Sequence, residues 1–279
     1  MLKGRKVYFV LVIVGLVIVL IFMTFNQKSQ TKIQESNAFE HLSYYQSENL
    51  SRYLQYQQDH ADLSIEDIVT YVNLNLDRPI VSTLIENPDD EKVIINKQHH
   101  LPANYKPQDL VAINSKCIQG LHYSCANDNV QYARENVAQS FNQLCEDVLA
   151  KKGVKVYSIA AYRSYDYQQM LFDYAINNYG QDHALKYYAK AGESEHNAGL
   201  AIDITLDNMN YENIESHQEY AWLLTILHEY GFILRYPKEK ENITGYHYEP
   251  WHIRYVGKDL ASKIYQSNLV YEEYEQKER

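Results

Sequence analysis

SEHNAGLAID, from Ser194 to Asp203, runs on through Ile204 and Thr205, and places a histidine and an aspartate seven residues apart across Gly199. In GLAIDIT, the period-two alternation of a strand sends Leu200, Ile202 and Ile204 to one face and Ala201, Asp203 and Thr205 to the other. The aliphatic face reads as core. Asp203 then stands on the open face, where a carboxylate is costly to desolvate unless something positive meets it. His196 precedes the strand, and Gly199 permits the turn that returns it over Asp203. A neutral imidazole and a carboxylate both suit zinc, which in catalytic sites commonly takes three protein ligands and leaves a fourth position for water. Two ligands are not yet a site.

The segment YHYEPWHIRYVG, Tyr246 to Gly257, offers what is missing. His252, Arg254 and Val256 share one face of a strand, Ile253 and Tyr255 the other. Pro250 interrupts regular pairing, so Glu249 is expected on the loop beside His252, where a general base belongs. Each residue alone has a bland explanation. A single histidine among eleven is more often a surface or hydrogen-bonded residue, and Asp203 can be a paired structural acid. His247 competes with His252 as the third ligand because it also lies close to Glu249. The spacings alone leave these alternatives open.

Outward from these stretches, 279 residues allow one sizeable domain with extensions, or at most two. Val7 to Phe25 is a run of 19 residues without a charge, close to the roughly 20 that cross a bilayer as a helix. Lys3, Arg5 and Lys6 precede it, which by the positive-inside rule leaves the N-terminus in the cytoplasm and the rest outside. A cleaved signal peptide is the rival reading, but MTFNQKSQ lacks the small residues of a cleavage site. Without the three charges of residues 1–26, the formal charge moves from −10 to −13. An acidic ectodomain argues against a nucleic-acid partner. Cys117, Cys125 and Cys145 lack metal-site spacing; one disulfide is possible, with Cys117 and Cys125 the closest pair, and free thiols are the alternative.

Residues 27–41 read as a polar tether and 42–91 as a helical arm, in which Ser64 and Asp67 resemble a capping pair. The catalytic domain is expected over 92–268. There, VIINK (93–97) reads as a strand, and Arg134 to Lys152 as an amphipathic helix closed by Gly153. VKVYSIA is a strand, and Ser164 opens a helix that ends near Gly180. Ser216 with Glu219 forms a capping box for a helix closed by Gly231, followed by the strands FILRY and HIRYV and a last helix from Asp259 to Gln266. Residues 269–279 read as a frayed, charged tail. The order predicts an α+β class: a small, largely antiparallel sheet backed by helices, in a single catalytic domain with an N-terminal transmembrane helix and a helical arm.

SEHNAGLAID matches the pattern S-x-H-x-x-G-x-A-x-D, and with EPWH (249–252) it resembles the zinc D-alanyl-D-alanine carboxypeptidases of the VanY type. YRSYDYQ, Tyr162 to Gln168, resembles a third block of that family, an arginine after a strand with a glutamine five positions on. The similarity runs in order from about Val93 to Gly257 and includes the lead-in YKPQDLV. It implies a compact α+β fold with a central antiparallel sheet. It also implies that His196, Asp203 and His252 bind Zn2+, that Glu249 is the general base, and that Arg163 polarises the scissile carbonyl or holds the oxyanion. Ser194 and Gln168 are implied to hold the terminal D-alanine. Trp251 is either a wall of the site or core. The implied substrates are peptidoglycan stem peptides, outside a membrane anchored through residues 7–25, with L,D-carboxypeptidase, endopeptidase and non-catalytic wall-binding variants of the same fold as rivals.

Overall fold

The structure is a computed structural model that describes residues 38–116, 130–207 and 209–278. The apolar run 7–25 and Cys117 and Cys125 lie outside the described residues. Among the described residues, no helix is long and apolar enough to cross a membrane. The described residues form two compact units that divide between Asp77 and Arg78.

In the first unit, helices α1 (Leu50–Asp59) and α2 (Ile65–Asn73) carry their own core of Phe39, Tyr53, Leu54, Ile68, Val69 and Val72. Ser64 caps α2 as expected: its Oγ accepts from Asp67 N at 3.0 Å. Arg52 ties α1 to the end of the unit, donating to Asp77 Oδ2 at 2.8 Å and to Val72 O at 2.8 Å. Residues 78–91, read with the arm from the sequence, fall in the second unit.

The second unit opens with a short parallel pair, β1 (Thr83–Leu84) and β2 (His99–His100), and an antiparallel pair, β3 (Leu110–Lys116) and β4 (Val130–Arg134). VIINK is not a strand; only Asn96 makes an isolated bridge, to His99. Helix α3 (Glu135–Lys152) ends, as expected, at Gly153 with φ 69°. Then follow β5 (Val156–Ala160), α4 (Tyr165–Tyr179), α5 (Gln181–Tyr187), β6 (Ala201–Leu206), α6 (Tyr220–Ile226), β7 (Phe232–Leu234), α7 (Glu241–Thr244), β8 (His252–Tyr255), α8 (Lys258–Ser267) and α9 (Tyr271–Lys277). The central sheet has the order β5-β6-β8-β7 and is antiparallel throughout. The α+β reading therefore holds.

Three expectations change. Ser216 does not open a helix: it ends a 3-10 turn (Tyr211–Ser216), and α6 begins at Tyr220 without a side-chain cap. The last residues are no frayed tail, because α9 buries Tyr271, Glu272, Glu273 and Tyr274. Its glutamates misled the reading: they are buried because cations meet them. Finally, β6 has no open face. All six of its residues are buried, since β5 and β8 flank it and its polar side is covered by the loops that carry the site. The aliphatic side, Leu200, Ile202 and Ile204, joins Phe141, Leu144 and Val148 of α3 in one core.

Candidate metal centre

Sheet register delivers the first two donors. β6 and β8 pair with Asp203 directly opposite His252, so adjacent side chains on one face are brought together by backbone hydrogen bonds. His196 comes from a 3-10 turn, Glu195–Ala198, that ends at Gly199 with φ 64°. A Cβ at Gly199 would sit 3.0 Å from Leu110 Cδ2 and 3.2 Å from Arg134 Cγ, so the turn requires glycine both for its left-handed backbone and for its close packing. Asn197 fastens this turn to the loop after β5. Its amide donates to Arg163 O at 2.8 Å and its carbonyl accepts from Gly192 N at 2.9 Å, while Arg163 N donates to His196 O at 3.1 Å.

A backbone carbonyl assigns the His196 tautomer. His196 Nδ1 lies 2.7 Å from Ala161 O, an acceptor, so Nδ1 carries the proton and Nε2 presents a lone pair 3.3 Å from Asp203 Oδ1. His252 faces carboxylates at both nitrogens: Nε2 lies 3.3 Å from Glu195 Oε2, and Nδ1 lies 3.3 Å from Asp203 Oδ1 and from Glu249 Oε2. Asp203 Oδ2 is held by Arg163 at 2.7 Å, whereas Oδ1 is buried and accepts no hydrogen bond. One donor atom from each of His196, Asp203 and His252 lies within 4.8 Å of the others, and all three residues are buried. Three electron-pair donors converging on a buried, unsatisfied carboxylate oxygen fit a divalent cation, and two imidazoles with one carboxylate suit zinc.

The electrostatics agree. Burial, and after it the neighbouring Arg163 guanidinium, lowers the His196 pKa to about 4, so the ring is neutral, as a ligand must be. Burial works to raise Asp203, but His196, His252 and Arg163 hold it well below the usual range. For His252, burial lowers the pKa, and contacts with Asp203, Glu195 and Glu249 more than offset it, so the net shift is upward. A cation among the same carboxylates reverses that preference by competing for the Nδ1 lone pair.

Glu249 stands on the turn before β8, as read from Pro250, with Oε2 3.3 Å from His252 Nδ1. Burial raises its pKa, and unlike Asp203 it has no salt bridge to an arginine or lysine among the described residues. Arg163 uses one terminal nitrogen on Asp203 and leaves its buried Nε unpartnered. Ser194 is buried at the start of the 3-10 turn and does not cap it. Gln168, also buried, donates to Ala189 O at 2.8 Å and keeps an unpartnered carbonyl oxygen. Trp251 is half-buried against the main core, with the Tyr211 ring edge-on at 5.0 Å. His247, the rival ligand, stacks on Tyr187 at 4.5 Å and takes no part in the donor cluster. Glu195 and Asn197 escaped the sequence reading, although both lie inside SEHNAGLAID. Their adjacency to His196 was the available signal, and the tight turn that directs them inward was not visible.

Such a donor set, beside a buried glutamate on a small antiparallel sheet, suits a mononuclear zinc hydrolase. The family model for VanY, D-alanyl-D-alanine carboxypeptidase, matches residues 130–258. YodJ, a carboxypeptidase relative from Bacillus subtilis (strain 168), is 39% identical over 198 residues, spanning 69% of this chain and 70% of its own. Among solved structures, the LdcB LD-carboxypeptidase is 37% identical with a TM-score of 0.63, covering 71% of this chain and 91% of that one. A mutant of the vancomycin resistance D,D-pentapeptidase VanY, in complex with Zn(II), is 30% identical with a TM-score of 0.52, covering 66% and 98%. The chain belongs to the VanY family of carboxypeptidases and is a peptidase.

Proposed function

We propose that the protein is a zinc-dependent carboxypeptidase that removes a C-terminal D-alanine from peptidoglycan stem peptides. The observation that carries this is the convergence of His196 Nε2, His252 Nδ1 and the unsatisfied Asp203 Oδ1 beside Glu249. Zinc held by those three residues would supply a Lewis acid that lowers the pKa of water to roughly 7. Glu249, its carboxylate kept basic by burial, takes a proton from the water attacking the terminal peptide carbonyl. It returns that proton to the departing amine as the C–N bond breaks, so one water is consumed and one D-alanine released. Arg163, fixed by Asp203 and permanently charged, faces the oxygen that gains negative charge. Ser194 and Gln168, both buried, are assigned to holding the terminal residue.

A second reading, L,D-carboxypeptidase action on tetrapeptide stems, is favoured by the likeness to LdcB. Incubation of the purified protein with defined tri-, tetra- and pentapeptide stems, with the products weighed, decides between them. Pentapeptide shortened to tetrapeptide supports the first reading, tetrapeptide shortened to tripeptide the second, and no shortening of either overturns both. We further propose that residues 7–25 anchor the chain in the cell membrane with the catalytic unit outside. The charge-free run and the three preceding cations support this, and it puts the enzyme where its polymer lies. Protease accessibility of the catalytic unit in intact cells tests it; protection would refute the orientation.

A further inference from the structure

Behind His252, away from Glu249, lies a group of charges that the reaction does not use. Glu195, Arg235 and Arg254 have side chains with no exposure, and Glu272 of α9 has 5%. Glu195 Oε1 accepts from Arg235 Nε at 2.7 Å and from Arg254 at 2.8 Å, while Oε2 is left for His252 Nε2. Arg235 turns its far edge to Glu272, donating to Oε2 at 2.8 Å and to Oε1 at 2.5 Å. Asn96 adds a donor to Glu272 Oε1 at 3.2 Å. Arg254 is occupied elsewhere, by the carbonyls of Glu91, Val93 and Tyr255, each at 2.8 Å.

The four charges balance as two anions and two cations, and their arrangement divides the work of Glu195: one oxygen for the arginines, one for the histidine. We propose that Glu272, on the C-terminal helix, is a positioning residue for the metal centre, acting through Arg235 and Glu195 on His252. The helix lies beyond the residues matched by the family model. With Glu272 neutralised, Arg235 carries a desolvated charge whose nearest remaining anion is Glu195. Both Glu195 oxygens are then drawn to the arginines. His252 loses the acceptor that keeps its proton on Nε2 and its Nδ1 lone pair directed at Asp203. Arg235 and Arg254 also lie 5.9 and 5.8 Å from the Tyr271 ring, so α9 closes the same group on a second side.

This inference rests on the metal reading above, and the test separates the two. Zinc affinity of the full chain is measured by competition with a chromophoric chelator, alongside the unfolding midpoint, for Glu272→Gln and for Tyr274→Ala. The second variant removes packing from the same helix without touching the charges. Glu272→Gln is expected to weaken zinc binding about 10- to 100-fold, whereas Tyr274→Ala lowers the midpoint and leaves affinity unchanged. In a Glu195→Gln background the effect of Glu272→Gln on affinity is expected to vanish, because the relay is already cut. If Glu272→Gln does not fold, Glu272→Asp, which keeps the charge but withdraws it by one methylene, carries the same comparison with a smaller loss. Wild-type zinc affinity in the folded glutamine or aspartate variant overturns the proposal, as does a loss that persists in full without Glu195. A wild-type chain that binds no zinc defeats the metal reading itself, and this inference with it.

Discussion

Two glutamates touch the same histidine ring, one at each nitrogen, and their surroundings make them different reagents. Glu195 meets His252 Nε2 from a side with no solvent, and two arginines outweigh burial and hold its carboxyl far below the ordinary range. Glu249 meets Nδ1 on the other side of the ring, 17% exposed, with no salt-bridged arginine or lysine among the described residues, and burial raises its pKa. The first is a fixed anion that cannot take up a proton near neutral pH. The second is an anion poised to accept one. Residue type assigns neither role; the cations packed around each carboxylate do.

The comparison can be broken most severely by removing the metal: dialysis against a strong chelator should abolish turnover on stem peptides, and added zinc should restore it. Activity that survives chelation ends the metal assignment of His196, Asp203 and His252, and with it the roles given to both glutamates. Next, Glu249→Ala should cut turnover by about 10²- to 10⁴-fold while zinc content, read by atomic absorption, stays at wild type. Near-normal turnover in that variant removes Glu249 as the base. Glu195→Ala should act on the fold as well as on zinc affinity, leaving Arg235 and Arg254 short of an anion and costing about 3–5 kcal/mol in urea unfolding of the metal-free chain. Glu249→Ala in the same assay should cost far less, and equal losses would erase the distinction. The smallest effect tests burial away from the centre. Cys145 is half-buried against Val156 O, and burial pushes its thiol up to about 12. It should therefore resist alkylation at pH 8 until the chain is unfolded, as followed by mass spectrometry.

Much of this centre was legible in the chain. GLAIDIT announced a strand by alternation, Gly199 a left-handed turn, and Pro250 a break that leaves Glu249 on a loop, and all three are found. Ser64, Ser164 and Gly153 mark helix ends where short-range chemistry marks them. Expectations failed where a residue's meaning depends on distant partners. The charged C-terminus resembled a solvated tail because charge favours water, until Arg235 and Lys240 are seen to meet Glu272 and Glu273. The choice between His247 and His252 was open because both lie near Glu249 in sequence; sheet register sets His252 opposite Asp203, while His247 stacks on Tyr187.

The sequence by itself determined the local parts: the strand with its aspartate, the turn with its histidine, the loop with its glutamate, and an apolar run long enough to span a bilayer. These follow from periodicity, backbone preference and charge within a few residues. Only the tertiary structure decided which donor atoms converge, which proton His196 keeps and which glutamate is buried among arginines. Those depend on contacts between residues far apart in the chain, such as His196 with His252 and Glu195 with Arg235. Interactions of that range are set by strand register and packing, which no short window of sequence contains.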